Sequence, residues 1–151
     1  MTTSSGPFGM PVRGDEPDLL VDTSVAVALV VADHEHHRAT ADAIADRRVG
    51  LAGHAAFETF SVVTRLPPPL RRTPKATQAL LARNFPSSRF LGATAAQQLL
   101  ARLAGAGIAG GAVYDALIGA AALEHRLRLA TRDRRAIETY RVLGVDLEIL
   151  G

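Results

Sequence analysis

The sequence predicts a three-layer α/β/α fold with a central, mostly parallel sheet of about five strands. Two observations predict it. Short strand-like runs alternate with longer helix-patterned segments from residue 19 onward. The first of them, Leu19-Leu20-Val21, is wholly apolar and partly β-branched, as befits a strand buried on both faces. No internal repeat divides the 151 residues, a length suited to one domain with a well-covered core.

Residues 1–18, MTTSSGPFGMPVRGDEPD, mix Gly, Pro, Ser and Thr with few apolar side chains and read as a disordered leader to a domain at 19–151. Leu19-Leu20-Val21 is the first strand. Residues 25–31 follow as a helix, residues 36–48 as a second through Ala39, Ala43 and Ile44, and residues 49–52 as a weaker strand. The helix predicted over 55–66 is stopped by Pro67-Pro68-Pro69, because proline lacks the backbone donor and crowds the preceding turn. A helix at 75–83 and a short strand at 89–91 come next. Residues 95–104 are amphipathic through Leu99, Leu100 and Leu103, and four glycines between 105 and 111 end that helix. Residues 112–125 give a strongly apolar helix, 127–131 a strand, 134–143 a helix closed by Gly144, and 145–150 the last strand.

Composition narrows the chemistry. Cysteine is absent, which excludes disulfides, thiolate catalysis and sulfur-built zinc sites. No apolar run approaches the ~20 residues that cross a bilayer. The leader lacks the apolar stretch of a secretory signal, so a cytoplasmic protein without a membrane partner is expected. The net charge is +2, and setting the leader aside leaves 16 bases against 12 acids. A surface of that balance permits binding to a polyanion such as RNA.

Four acids stand out by position. Asp22 and Asp133 fall at or just after strand ends, where open α/β sheets place their ligands. Taken alone, each reads as a helix N-cap. Glu58 and Asp115 sit inside apolar helical segments, Ala55 to Phe60 and Val113 to Ile118. A carboxylate there must face solvent, find a partner or lose its charge. Asp115 has no basic neighbour in sequence until Arg126. A hard cation would offset several such carboxylates at once, and oxygen donors suit Mg²⁺ or Mn²⁺.

With these residues in view, the chain resembles the PIN-domain ribonucleases, and among them the VapC-type toxins of bacterial toxin–antitoxin pairs. The resemblance is carried by Leu20-Val21-Asp22-Thr23-Ser24, the Glu58 helix, Gly110-Gly111-Ala112-Val113-Tyr114-Asp115-Ala116-Leu117-Ile118 and Leu129-Ala130-Thr131-Arg132-Asp133, in that order, and spans residues 19–150. It implies a PIN-like fold and a metal-dependent endoribonuclease with one or two Mg²⁺ or Mn²⁺ ions. Asp22, Glu58, Asp115 and Asp133 would be the metal-binding catalytic carboxylates, with Thr23 and Thr131 as hydroxyls that orient them. It further implies an RNA substrate, a homodimer and a small cognate antitoxin whose tail occupies the cleft. Asp133 is followed by Arg134-Arg135, whereas some family members carry a further acid nearby. A PIN-like module without activity, kept for RNA or protein binding, and a housekeeping RNA-processing nuclease are the alternative readings.

Other features carry less. The Asp33-His34-Glu35-His36-His37 run matches no metal-binding spacing and reads as a solvated turn. His54 reads as a capping or core histidine. Arg65, Arg71 and Arg72, with Lys75, flank the proline break, and Arg132, Arg134 and Arg135 surround Asp133. Both groups are candidate RNA contacts, because the guanidinium fork matches phosphate oxygens. Gly105 to Gly111 lacks the phosphate-loop pattern. Aromatics make up 5% of the chain with no tryptophan, which disfavours a base-stacking platform.

Overall fold

A computed structural model describes residues 17–151. The predicted leader, apart from its last two residues, lies outside the described residues. Asp18 is already tied down, since its backbone N–H donates to the Arg48 carbonyl at 2.7 Å and its carboxylate accepts from the Arg48 N–H at 2.9 Å.

Four strands, β1 (Leu19–Val21), β2 (Val49–Leu51), β3 (Leu129–Thr131) and β4 (Leu147–Ile149), pair in parallel in the order β2-β1-β3-β4. Parallel pairing demands long crossovers, and helices supply them. They are α1 (Thr23–Val30), α2 (His37–Ile44), α3 (Ala55–Thr64), α4 (Pro74–Asn84), α5 (Ala93–Ala106), α6 (Ala112–Glu124) and α7 (Ile137–Leu143). None of the described helices is long and apolar enough to cross a membrane.

The three-layer expectation holds, and β1 shows why it reads as an unbroken apolar run. Leu19 and Val21 join one buried cluster with Val25, Val63 and Phe85, while Leu20 joins another with Leu99, Ile118, Tyr140 and Leu143. Each face of β1 therefore has its own helical cover, α1, α3 and α4 on one side and α5 to α7 on the other. Full burial of each such Leu or Val contributes about 1.5–3 kcal/mol.

The predicted fifth strand at 89–91 is reduced to one parallel bridge, Ala52 to Arg89. The Leu51 carbonyl accepts from the Arg89 N–H at 3.0 Å, but the Leu51 N–H donates to Ser88 Oγ at 2.9 Å and so leaves the ladder. Gly50 permits this approach. A Cβ there would meet the Ser87 carbonyl oxygen at 2.2 Å. Gly119 serves α6 in the same way, since its Cβ would lie 3.1 Å from the Tyr140 ring and from Val145. The close contact seats α7, with Tyr140, tightly against α6.

Candidate active site

The carboxyl ends of β1, β3 and β4 open onto one cleft of about 940 Å³, lined by Asp22, Glu58, Asp115 and Asp133 together. Local structure places each acid. Asp22 follows β1 and is the N-cap of α1, its Oδ1 accepting from the Val25 N–H at 3.2 Å. Glu58 and Asp115 lie in the first turns of α3 and α6. Asp133 follows β3, and its Oδ1 accepts from the Arg135 N–H at 3.0 Å. Exposed backbone N–H groups at helix starts favour negative charge, so the sequence can keep acids there.

Asp22 is almost wholly buried, at 2% exposure, and its acceptor sites are filled. Oδ1 accepts from Ser24 Oγ besides Val25, and Oδ2 accepts from Thr131 Oγ1 and from the Tyr140 hydroxyl at 2.9 Å. Burial pushes its carboxyl above the ordinary range, while these hydrogen bonds pull the other way. The cap reading of Asp22 holds, and the same carboxylate lines the cleft. Thr131 Oγ1 also accepts the Asp133 N–H at 3.0 Å, and Ser24 Oγ accepts the Arg132 N–H at 2.9 Å. Two hydroxyls thus couple Asp22 to the chain leaving β3. Thr23 Oγ1 donates to Glu58 Oε1. Glu58 Oε2 lies 3.8 Å from His54 Nε2, and the His54 ring stacks on Tyr114 at 5.3 Å.

Asp115 reports on the whole cluster. Desolvation first, then the charges of Asp133, Glu58 and Asp22, raise its carboxyl to about 6, opposed by Arg135. Mutual repulsion of this kind is what a hard cation relieves. Among the described residues, no three acids or histidines converge tightly enough to enclose one ion. The reason is local: Asp22 is turned to its hydroxyls and Glu58 to Thr23, as repelling carboxylates turn to donors. Rotation of a Ser or Thr hydroxyl about its own bond frees a lone pair on Asp22, so the oxygen-only donor set fits a hard cation.

The expected basic residues divide. Arg132, Arg134 and Arg135 line the cleft, whereas Arg65, Arg71 and Arg72 do not, and Arg71 Nε donates to the Leu66 carbonyl in its own loop. Arg132 Nε is buried without a hydrogen-bond partner. Sequence reasoning assigned no role to Ser24 or Tyr140. A signal for Tyr140 existed, because Ile137, Tyr140 and Leu143 form one apolar stripe and a buried phenol needs an acceptor.

Residues 19–142 match the family model of the PIN domain. The chain belongs to the PIN domain family. Two relatives of this PIN-domain chain come from Mycobacterium tuberculosis. It is 46% identical to Ribonuclease VapC27 over 134 residues, covering 89% of this chain and 98% of that protein. It is 47% identical to Ribonuclease VapC40 over 131 residues, covering 85% of this chain and 96% of the other. The PIN fold is also that of VapBC2 from Rickettsia felis bound to a DNA fragment from its promoter, with a TM-score of 0.64 at 14% identity, covering 88% and 98% of the two chains.

Proposed function

We propose that this PIN-domain protein is an endoribonuclease that hydrolyses RNA phosphodiester bonds with Mg²⁺ or Mn²⁺ and acts as the toxin of a toxin–antitoxin pair. The observation that carries the reading is the gathering of four carboxylates in one cleft, three of them raising the carboxyl of the fourth, Asp115. The names of the two mycobacterial relatives, matched over nearly their whole length, support the ribonuclease activity.

Asp22, Glu58, Asp115 and Asp133 would hold one or two ions. Bound there, the metal would neutralise phosphate charge and supply a water acidic enough to attack at neutral pH. Ser24, Thr131 and Tyr140 hold Asp22 in one orientation, and Thr23 does so for Glu58. Arg132, Arg134 and Arg135 offer guanidinium donors to the RNA backbone along the same cleft.

A small antitoxin as partner is supported by the VapBC structure that shares this fold. The family resemblance adds a homodimer and a cytoplasmic location. Purified protein should cut RNA in Mg²⁺ or Mn²⁺, and Asp22→Asn and Asp115→Asn should lose cleavage while keeping native circular dichroism. Wild-type cleavage by either variant, or in excess chelator, overturns the nuclease reading. Expression should arrest growth and co-expression of a small neighbouring gene should relieve it; a protein that cuts RNA without slowing growth is a housekeeping nuclease instead.

A further inference from the structure

The Asp33-His34-Glu35-His36-His37 run is no bystander turn in the fold. It joins α1 to α2, and His34, Glu35 and His36 line the same cleft as the four acids. The turn is held in place. His37 Nδ1 donates to the Ala28 carbonyl in α1 at 2.8 Å, and the His37 backbone N–H donates to the His34 carbonyl at 3.0 Å.

His34 is set up more specifically. The His36 backbone N–H donates to His34 Nδ1 at 3.1 Å. A backbone N–H only donates, so Nδ1 must be the bare nitrogen and the neutral ring carries its hydrogen on Nε2. With Nδ1 engaged and Nε2 protonated, the ring has no lone pair to give a cation. It has one N–H, and that suits an acceptor. The His36 ring lies beside it at 5.7 Å, and Glu35, the one acid of the turn on this wall, has its carboxylate 3.5 Å from His36 Nε2. Eight helical residues of α1 separate Asp22 from the turn, a rise of about 12 Å. That places the turn at the far end of α1 from Asp22, along the same trough as Arg132, Arg134 and Arg135.

Resting on the ribonuclease reading, we infer that the His34–His36 turn contacts the RNA backbone at a nucleotide flanking the scissile bond, His34 donating its Nε2 hydrogen to a phosphate oxygen. The contact requires an RNA long enough to span the cleft. It acts on binding and leaves the bond-breaking step alone.

The test uses two synthetic single-stranded RNAs sharing one cleavage site, one a minimal substrate and one extended on both sides. On the extended RNA, His34→Ala should raise KM about tenfold with kcat unchanged, the effect of one hydrogen bond to a charged group. In an Asp115→Asn background it should lower affinity for that RNA by the same factor. The minimal RNA should be cut as by wild type. His34→Gln, whose amide N–H₂ reaches the same region, should retain most of the affinity. Equal KM for wild type and His34→Ala on the extended RNA overturns the inference, as does an equal loss on both RNAs. So does a loss confined to a protein partner, which would assign the turn to protein recognition. A wild-type protein that cuts neither RNA fails the ribonuclease reading itself, a result distinct from all of these.

Discussion

Tyr140 donates its phenolic hydrogen to Asp22 Oδ2 at 2.9 Å, tying α7 to the end of β1 across 118 positions. Tyr140→Phe keeps the ring against Gly119 and removes one of the donors on Asp22. Stability should fall by about 1–2 kcal/mol in urea titrations. That bond lowers the Asp22 carboxyl, so its loss lifts the group further and the ionised form is reached only at higher pH. The acid limb of the cleavage profile should move upward; an unmoved limb would mean that Tyr140 only fills space.

Asp115 makes the folded chain pH-sensitive in the opposite sense to an ordinary surface acid. Its carboxyl is raised from 3.8 to about 6 by desolvation and then by Asp133, Glu58 and Asp22. Between those values the folded state holds a proton that the unfolded state has released, so this contribution to stability is present at low pH and lost as pH rises through the window. In chelator, Tm should drop between about pH 4 and about pH 6. Asp115→Asn should flatten the drop and raise Tm at neutral pH while abolishing cleavage.

The same repulsion predicts stabilisation by metal. Adding Mg²⁺ or Mn²⁺ should raise Tm with concentration, by the equivalent of about 2.7 kcal/mol when the ion is at a hundred times its Kd. Asp22→Asn and Asp115→Asn should lose most of that response in a thermal-shift assay.

Thr131 is a two-sided link, donating to Asp22 and accepting from the Asp133 N–H. Thr131→Val preserves shape and breaks both bonds. Metal affinity by calorimetry should fall about 10–100-fold. Thr131→Ser should restore it.

Gly50→Ala drives a methyl group against the Ser87 carbonyl, 2.2 Å away, where only backbone could yield. Denaturant unfolding should show a loss of about 3 kcal/mol.

Much of this could be read from the chain because strands and acids are local signals. Leu19 to Val21 is buried on both faces and was uniformly apolar, and Asp22 follows directly. The short strand at 89–91 misled, since its apolar pattern says nothing of Ser88 Oγ taking the Leu51 N–H. α4 begins at Pro74, behind a Thr73 cap whose hydroxyl accepts the Ala76 N–H, one residue before the predicted start. Tyr140 escaped functional notice for a physical reason. Its partner Asp22 is fixed by how α7 packs, 118 positions away, and no spacing rule encodes that.

The sheet order has a consequence for synthesis. β1 emerges early, yet it sits between β2 and β3, and Asp22 gains Thr131 only 109 positions later. Contacts so distant in sequence close late. A ribosome carrying this chain therefore completes the Asp22–Thr131 pair only once nearly all of it has been translated.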